Sequence, residues 1–144
     1  MIEQPYPYFE VIPKTYYAFQ SIGEQGTVTK IVQFKFLGDN VWNLGFADLK
    51  DDGSIDGLVI TNNQDVHKVL RTVAKIAIDF LAQYPNSILQ IIPVEEKRKR
   101  VYNGLFRKYF TEIDTFFNIL GIFDEQEETY VPFKIYDKFK ITSK

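Results

Sequence analysis

Residues 27–37 read TVTKIVQFKFL. Val28, Val32, Phe34 and Phe36 share one parity and Thr29, Gln33 and Lys35 the other, which is the two-residue period of a strand with one buried face. Lys30 and Ile31 are the exceptions. Upstream, residues 16–22 (YYAFQSI) form a second β-prone run, and Gly23 and Gly26 between the two predict a hairpin turn. Downstream, Gly38, Asp39 and Asn40 predict another turn. Residues 41–49 (VWNLGFADL) then set Trp42, Leu44 and Phe46 on one face, and Asp48 continues that face as an acid. A turn cluster at residues 51–54 and a short strand at 57–61 complete an antiparallel meander.

At Asn62 the period changes. Val66, Val69, Leu70, Val73, Ala77, Phe80, Leu81 and Tyr84 follow the spacing of an amphipathic helix packed on the sheet. Asn63 or Asp65 can cap its start and Pro85 ends it. Residues 87–94 (SILQIIPV) predict a strand beside the meander. A second helix is expected from about residue 95 toward 118, with Val101, Tyr102, Leu105, Tyr109, Ile113 and Phe116 on its apolar side and Gly121 closing it. After an acidic loop at 124–128, residues 130–136 (YVPFKIY) and 138–142 (KFKIT) predict a closing strand pair, with Pro132 confining the first to an edge or bulge. The expected fold is α+β: an antiparallel meander, then helix, strand, helix and two closing strands, with the helices packed on the sheet.

The totals suit that expectation. The chain has 144 residues, 45% of them hydrophobic, with 13 Phe and 9 Tyr, so one aromatic-rich core is expected across residues 1–144, and residues 1–14 read as an extension packed on it. Net charge is −2, from 17 Lys and Arg against 19 Asp and Glu, which provides no general attraction to nucleic acid or anionic lipid. There is no cysteine, hence no disulfide framework and no thiolate nucleophile. The first 14 residues hold no unbroken apolar run, and no stretch approaches the roughly 20 apolar residues of a membrane span. A soluble, cytoplasmic protein without membrane association is expected.

Catalytic motifs are sparse. The junction at residues 60–65 contains no glycine and so no phosphate-cradling loop. His67 is the single histidine and stands off the apolar stripe of its helix, the place of an ordinary solvated side chain. Residues 51–57 (DDGSIDG) lack the spacing of a calcium loop. Neither a metal nor a cofactor is predicted.

Two groups of residues remain. Lys97, Lys99, Arg100 and Arg107 make the second helix a candidate anion-binding element, against which stands the commoner reading of a solvated face, with Glu95 and Glu96 adjoining. Helical register sets Arg98 apart from its neighbours, on the apolar side with Tyr102 and Leu105. A buried arginine needs a partner, as does Asp48 on the apolar face of its strand. Asp48 and Arg98 are therefore expected to approach each other, either as a structural ion pair or within a polar pocket that includes Asn62, Asn63 and Tyr102.

Several segments together (Lys30–Phe34, Asn43–Asp48, residues 61–65, Val69–Val73 and Arg98–Tyr102) resemble an uncharacterised family of small Bacteroidetes proteins known as a domain of unknown function. The resemblance covers about residues 16–140 and implies a bacterial protein with no assigned activity. In place of the small hydroxyl residue and proline that the family sets ahead of the arginine, this chain has Val94, Glu95, Glu96 and Lys97. The order of elements, with an Arg-x-x-x-Tyr run at Arg98 and Tyr102, is also similar to that of the GCN5-related acetyltransferases, whose Gly-rich coenzyme loop has no counterpart at residues 62–65.

The leading functional expectation is a non-catalytic binding or accessory protein of unknown partner. One alternative is an acyltransferase-like enzyme using Asp48 or Tyr102 as acid or base. The other is a nucleic-acid-contacting protein using the second helix, a partner that the overall charge disfavours. Tyr6, Tyr8, Phe9, Phe133, Tyr136 and Phe139 are expected to cover the core of a monomer, or else to form the surface of a homodimer.

Overall fold

The structure is a computed structural model and describes residues 4–24, 26–49, 52, 55–56 and 64–144. It is an α+β fold with a mixed, mostly antiparallel sheet. The chain divides into two compact units, each assembled from two stretches: Met1–Lys35 with Leu44–Phe80, and Phe36–Asn43 with Leu81–Lys144. No helix among the described residues is long and apolar enough to cross a membrane.

The first unit is a meander under a helix. β1 (Tyr8–Ile12), within the stretch read as an extension, pairs antiparallel with β2 (Tyr16–Gly23), with an irregularity between Glu10 and Ile12. β2 pairs with β3 (Gly26–Gly38) from Tyr16↔Gln33 to Gly23↔Gly26, which bears out the turn at the two glycines. β4 (Val41–Leu49) neighbours β3, and the short β5 (Ile55–Asp56) pairs with it at Asp48↔Asp56. The strand expected at 57–61 lies outside the described residues.

α1 (Val66–Gln83) buries Val69, Ala77, Phe80 and Leu81 of the predicted stripe, with Thr72 and Ile76 beside them. Its Phe80 ring stacks on Phe34 with centroids 4.1 Å apart, and Phe19 lies between the rings of Tyr6 and Phe46. These aromatic pairs fix the helix on the strand face that alternation had marked as apolar.

In the second unit the tip of β3 and the start of β4 join at Asp39 and Asn40, both at positive φ, as the two central residues of a tight hairpin require. β4 then pairs in parallel with β6 (Ile88–Ile91) through Val41↔Ile88, Trp42↔Leu89 and Asn43↔Gln90. The remaining order is β6, β9 (Lys138–Ser143), β7 (Phe117–Phe123), β8 (Gln126–Thr129), all antiparallel. Phe106 of α2 (Glu96–Lys108) stacks on Phe139 at 4.1 Å, with Tyr130 and Tyr136 packed around the pair.

The second half differs from expectation in three places. The long second helix is two, α2 and α3 (Phe110–Phe116), with Tyr109 at their junction. Gly121 sits within β7 and ends no helix. The acidic stretch read as a loop forms the turn at Asp124 and Glu125 and the strand β8, whereas residues 130–137 carry no strand. β8 is exposed on both faces and shows no alternation, and residues 130–136 form an irregular crossover that buries Tyr130 and Tyr136 and exposes Val131, Phe133 and Ile135.

Candidate functional site

The meander of the first unit carries an ion pair inside its core. Lys30 occupies the β3 position opposite Phe19, on the face turned to α1, and is only 2% exposed. Its Nζ lies 2.5 Å from Oδ1 of Asp48 in β4, with the Phe46 ring 6.0 Å away. A charged pair this deep persists only when short, direct contacts such as this one offset its desolvation cost. Asp48 thus finds in the neighbouring strand the partner that its position demanded. Arg98, expected to serve, has its Nε 3.5 Å from Glu95, the residue that precedes α2. The reason is proximity along the sheet: two residues of one parity on adjacent strands meet without any rearrangement.

A second polar group lies under the start of α1. The Tyr6 hydroxyl and the Ser21 hydroxyl each donate to Oδ2 of Asp65 at 2.6 Å, and the Ile22 amide donates to the Tyr6 oxygen at 3.1 Å. The Tyr6 amide donates to Oγ1 of Thr72 at 2.8 Å, tying the N-terminal segment to the helix. Burial, and then the bond to Asp65, push the Tyr6 phenol above its ordinary value. Asp65 directly precedes α1, but its Oδ2 is taken by these hydroxyls and its buried Oδ1 makes no hydrogen bond, so it does not act as the side-chain cap that was expected. Asn63, the other expected cap, and Asn62 lie outside the described residues. His67 is half-buried.

In the second unit α2 holds the crossover segment. Asn103, 2% exposed, behaves like a piece of strand: its Oδ1 accepts from the Tyr136 amide, and its Nδ2 donates to the Tyr136 carbonyl, both at 2.9 Å. Lys99 bonds Asp137 at 2.7 Å, and the Asp137 carboxylate also accepts from the Asp124 amide. The Arg107 Nε donates to the Pro132 carbonyl at 3.0 Å. Two of the four candidate anion-binding residues therefore have bonds within the unit, while Lys97 and Arg100 are exposed. Tyr102 is half-buried one turn from Arg98, and burial raises its phenol, an effect that the Arg98 charge partly offsets.

The Lys99 hydrogen bond, followed by the Asp124 amide, holds the Asp137 carboxyl below its ordinary value of 3.8. A carboxyl lowered by folding contributes stability above its unfolded value, and that contribution is lost as pH falls through the folded one. Asp137→Asn is therefore expected to be less stable than the parent at neutral pH and to match it progressively below about pH 3.8, in urea titrations at each pH. A gap independent of pH would disconnect Asp137 from acid unfolding.

An open surface depression surrounds the β7–β8 hairpin. Phe123, Asp124, Gln126, Glu127, Glu128, Lys134 and Ile135 line an open depression of about 640 Å³. Phe123 and Ile135 expose about half of their surface, and Phe133, next in the chain to Lys134, is 94% exposed. Lys134 spans both oxygens of Glu128 at 2.6 and 3.0 Å, and Lys140 bonds Glu127 at 2.9 Å. Asp124 and Glu125 occupy the turn at φ 51° and 63°, a left-handed conformation that costs a residue such as Glu about 1 kcal/mol or more. Of the aromatics assigned to core or dimer surface, Tyr6, Tyr136 and Phe139 are buried, Tyr8 is half-buried with its hydroxyl on Asp79, and Phe9 and Phe133 are exposed. Nothing in the sequence marked the depression, because its residues come from a strand without alternation and from an irregular crossover.

These features define an α+β protein with internally bonded polar groups in both units and an acid-rimmed apolar surface in the second. The chain belongs to a family of unknown function, DUF6934, whose model matches residues 3–144. No curated protein and no solved structure matches it.

Proposed function

We propose that this chain is a non-catalytic binding or accessory protein that engages a basic segment of a protein partner at the depression beside the β7–β8 hairpin. The observation that carries this is the composition of that surface: exposed Phe123 and Ile135 among Asp124, Glu127 and Glu128. Apolar area supplies affinity there, and the carboxylates select a cationic partner and speed its approach. An acyltransferase-like activity finds less support, since Asp48 is held by the Lys30 ammonium and burial disfavours the Tyr102 phenolate. Nucleic-acid contact through α2 would rest mainly on Lys97 and Arg100, with Lys99 and Arg107 bonded to Asp137 and Pro132. A polar pocket around Asp48, Asn62, Asn63, Arg98 and Tyr102 is a weaker proposal on the same grounds. A bacterial, cytoplasmic setting belongs to this proposal, on the family resemblance seen in the sequence.

The test is an NMR titration of the full chain with a blocked peptide of alternating lysine and valine, and with its glutamate–valine counterpart. The lysine peptide is expected to shift the amides of residues 123–128, 134 and 135, with affinity falling steeply as salt rises. The glutamate peptide is expected to leave them unmoved. Equal shifts with both peptides, or none with lysine at low ionic strength, would overturn the proposal.

A further inference from the structure

Beyond which surface binds, the hairpin geometry suggests how. The Tyr130 amide donates to the Ile119 carbonyl at 3.0 Å, and this fixes the phase of the ladder between β7 and β8. Antiparallel pairs alternate between hydrogen-bonded and non-hydrogen-bonded. With Ile119 and Tyr130 bonded, Gly121↔Glu128 and Phe123↔Gln126 are also bonded pairs, and Leu120↔Thr129 and Ile122↔Glu127 are not. The Ile122 carbonyl agrees, since it accepts instead from the Asp137 amide at 2.8 Å. The amides and carbonyls of Glu127 and Thr129 therefore point away from β7. Among the described residues β8 stands at the end of the strand order with β7 as its single neighbour, and all four of its residues are exposed.

We infer that the outer edge of β8 is a strand-addition site, at which an extended basic segment of the partner pairs its backbone with Glu127 and Thr129. This rests on the binding surface proposed above and assigns its mode. The charge pattern selects the occupant. Asp124, Glu125, Glu127 and Glu128 fall within five residues, so a second copy of this edge would set like charges opposite one another, which destabilises cross-strand pairs. A segment with lysine or arginine at alternate positions sets its cations on one face of the ladder, where they meet Glu127 or Glu128 according to register. Its cations would exchange with Lys140 or Lys134, which now hold those carboxylates. Main-chain bonds give such a complex its affinity and side chains its selectivity.

The experiment compares the lysine–valine peptide with the same peptide N-methylated at alternate residues, which removes one edge of donors and keeps every charge. A second arm uses Thr129→Pro, which deletes an outward amide while leaving the bonded pairs of the hairpin and the net charge intact. Methylation and Thr129→Pro are each expected to weaken binding roughly tenfold or more, with the β7–β8 amide pattern of the unbound variant unchanged. Equal affinity of plain and methylated peptides, with shifts still at residues 123–128, would overturn strand addition and leave the binding surface standing. Absence of binding by both would remove the two proposals together.

Discussion

Lys30→Ala is expected to cost the folded protein about 3–5 kcal/mol, because it leaves the Asp48 carboxylate inside the core without its ammonium. Few single substitutions in a chain of this size should cost more, since total stability is typically about 5–15 kcal/mol. Two further variants separate charge from packing. Asp48→Leu alone removes the carboxylate 2.5 Å from the lysine and should cost a similar amount. Lys30→Met with Asp48→Leu removes both charges and keeps apolar volume, so it should return to within about 2 kcal/mol of the parent or exceed it. Urea denaturation followed by circular dichroism reads all three. Additive losses in the double variant would mean that the two side chains act independently, contrary to a direct ion pair.

Gly121→Ala is the second large effect, and its origin is steric. A Cβ at Gly121 would lie 2.4 Å from Cδ1 and Cε1 of Tyr136 and 2.6 Å from Cγ. The ring has little room to yield: Tyr136 is 0% exposed, its backbone is clamped by Asn103, and its hydroxyl donates to Glu128 at 2.9 Å while accepting from the Val131 amide. Overpacking of this kind costs about 1–3 kcal/mol and more where neighbours are fixed, so a loss at or above the top of that range is expected. Tyr136→Ala costs about 3 kcal/mol or more by opening a cavity, and the double variant should lose less than the sum because the added methyl meets empty space. Thermal melts of the four proteins measure the coupling. A mild effect of Gly121→Ala would show that the crossover can lift off β7.

Legibility followed periodicity. The hairpin at Gly23 and Gly26, the turn at Asp39 and Asn40 and α1 could be read because each has a half-buried alternation or a turn chemistry of its own. The second half was harder. Residues 116–123 form one apolar run that suits the end of a helix or a buried strand equally, and Gly121 resembles a helix terminator until Tyr136 is known to lie on it. Of the candidate site, Asp48 was found by its parity and Lys30 was visible as a break in the same pattern one strand earlier. What the pattern withheld was that the two exceptions answer each other. Cross-strand register, which a single sequence leaves open, decides that. The depression at the hairpin had no such marker.

The way the two units share the chain has a consequence for how such a protein can be divided. Each is discontinuous: Phe36–Asn43 of the second interrupts the first, and Leu44–Phe80 of the first separates that stretch from the rest of the second. The parallel pairing of β4 with β6 joins residues on either side of this insertion. No single cut yields a fragment that contains one whole unit and nothing of the other. The family model spans both units, from residue 3 to residue 144.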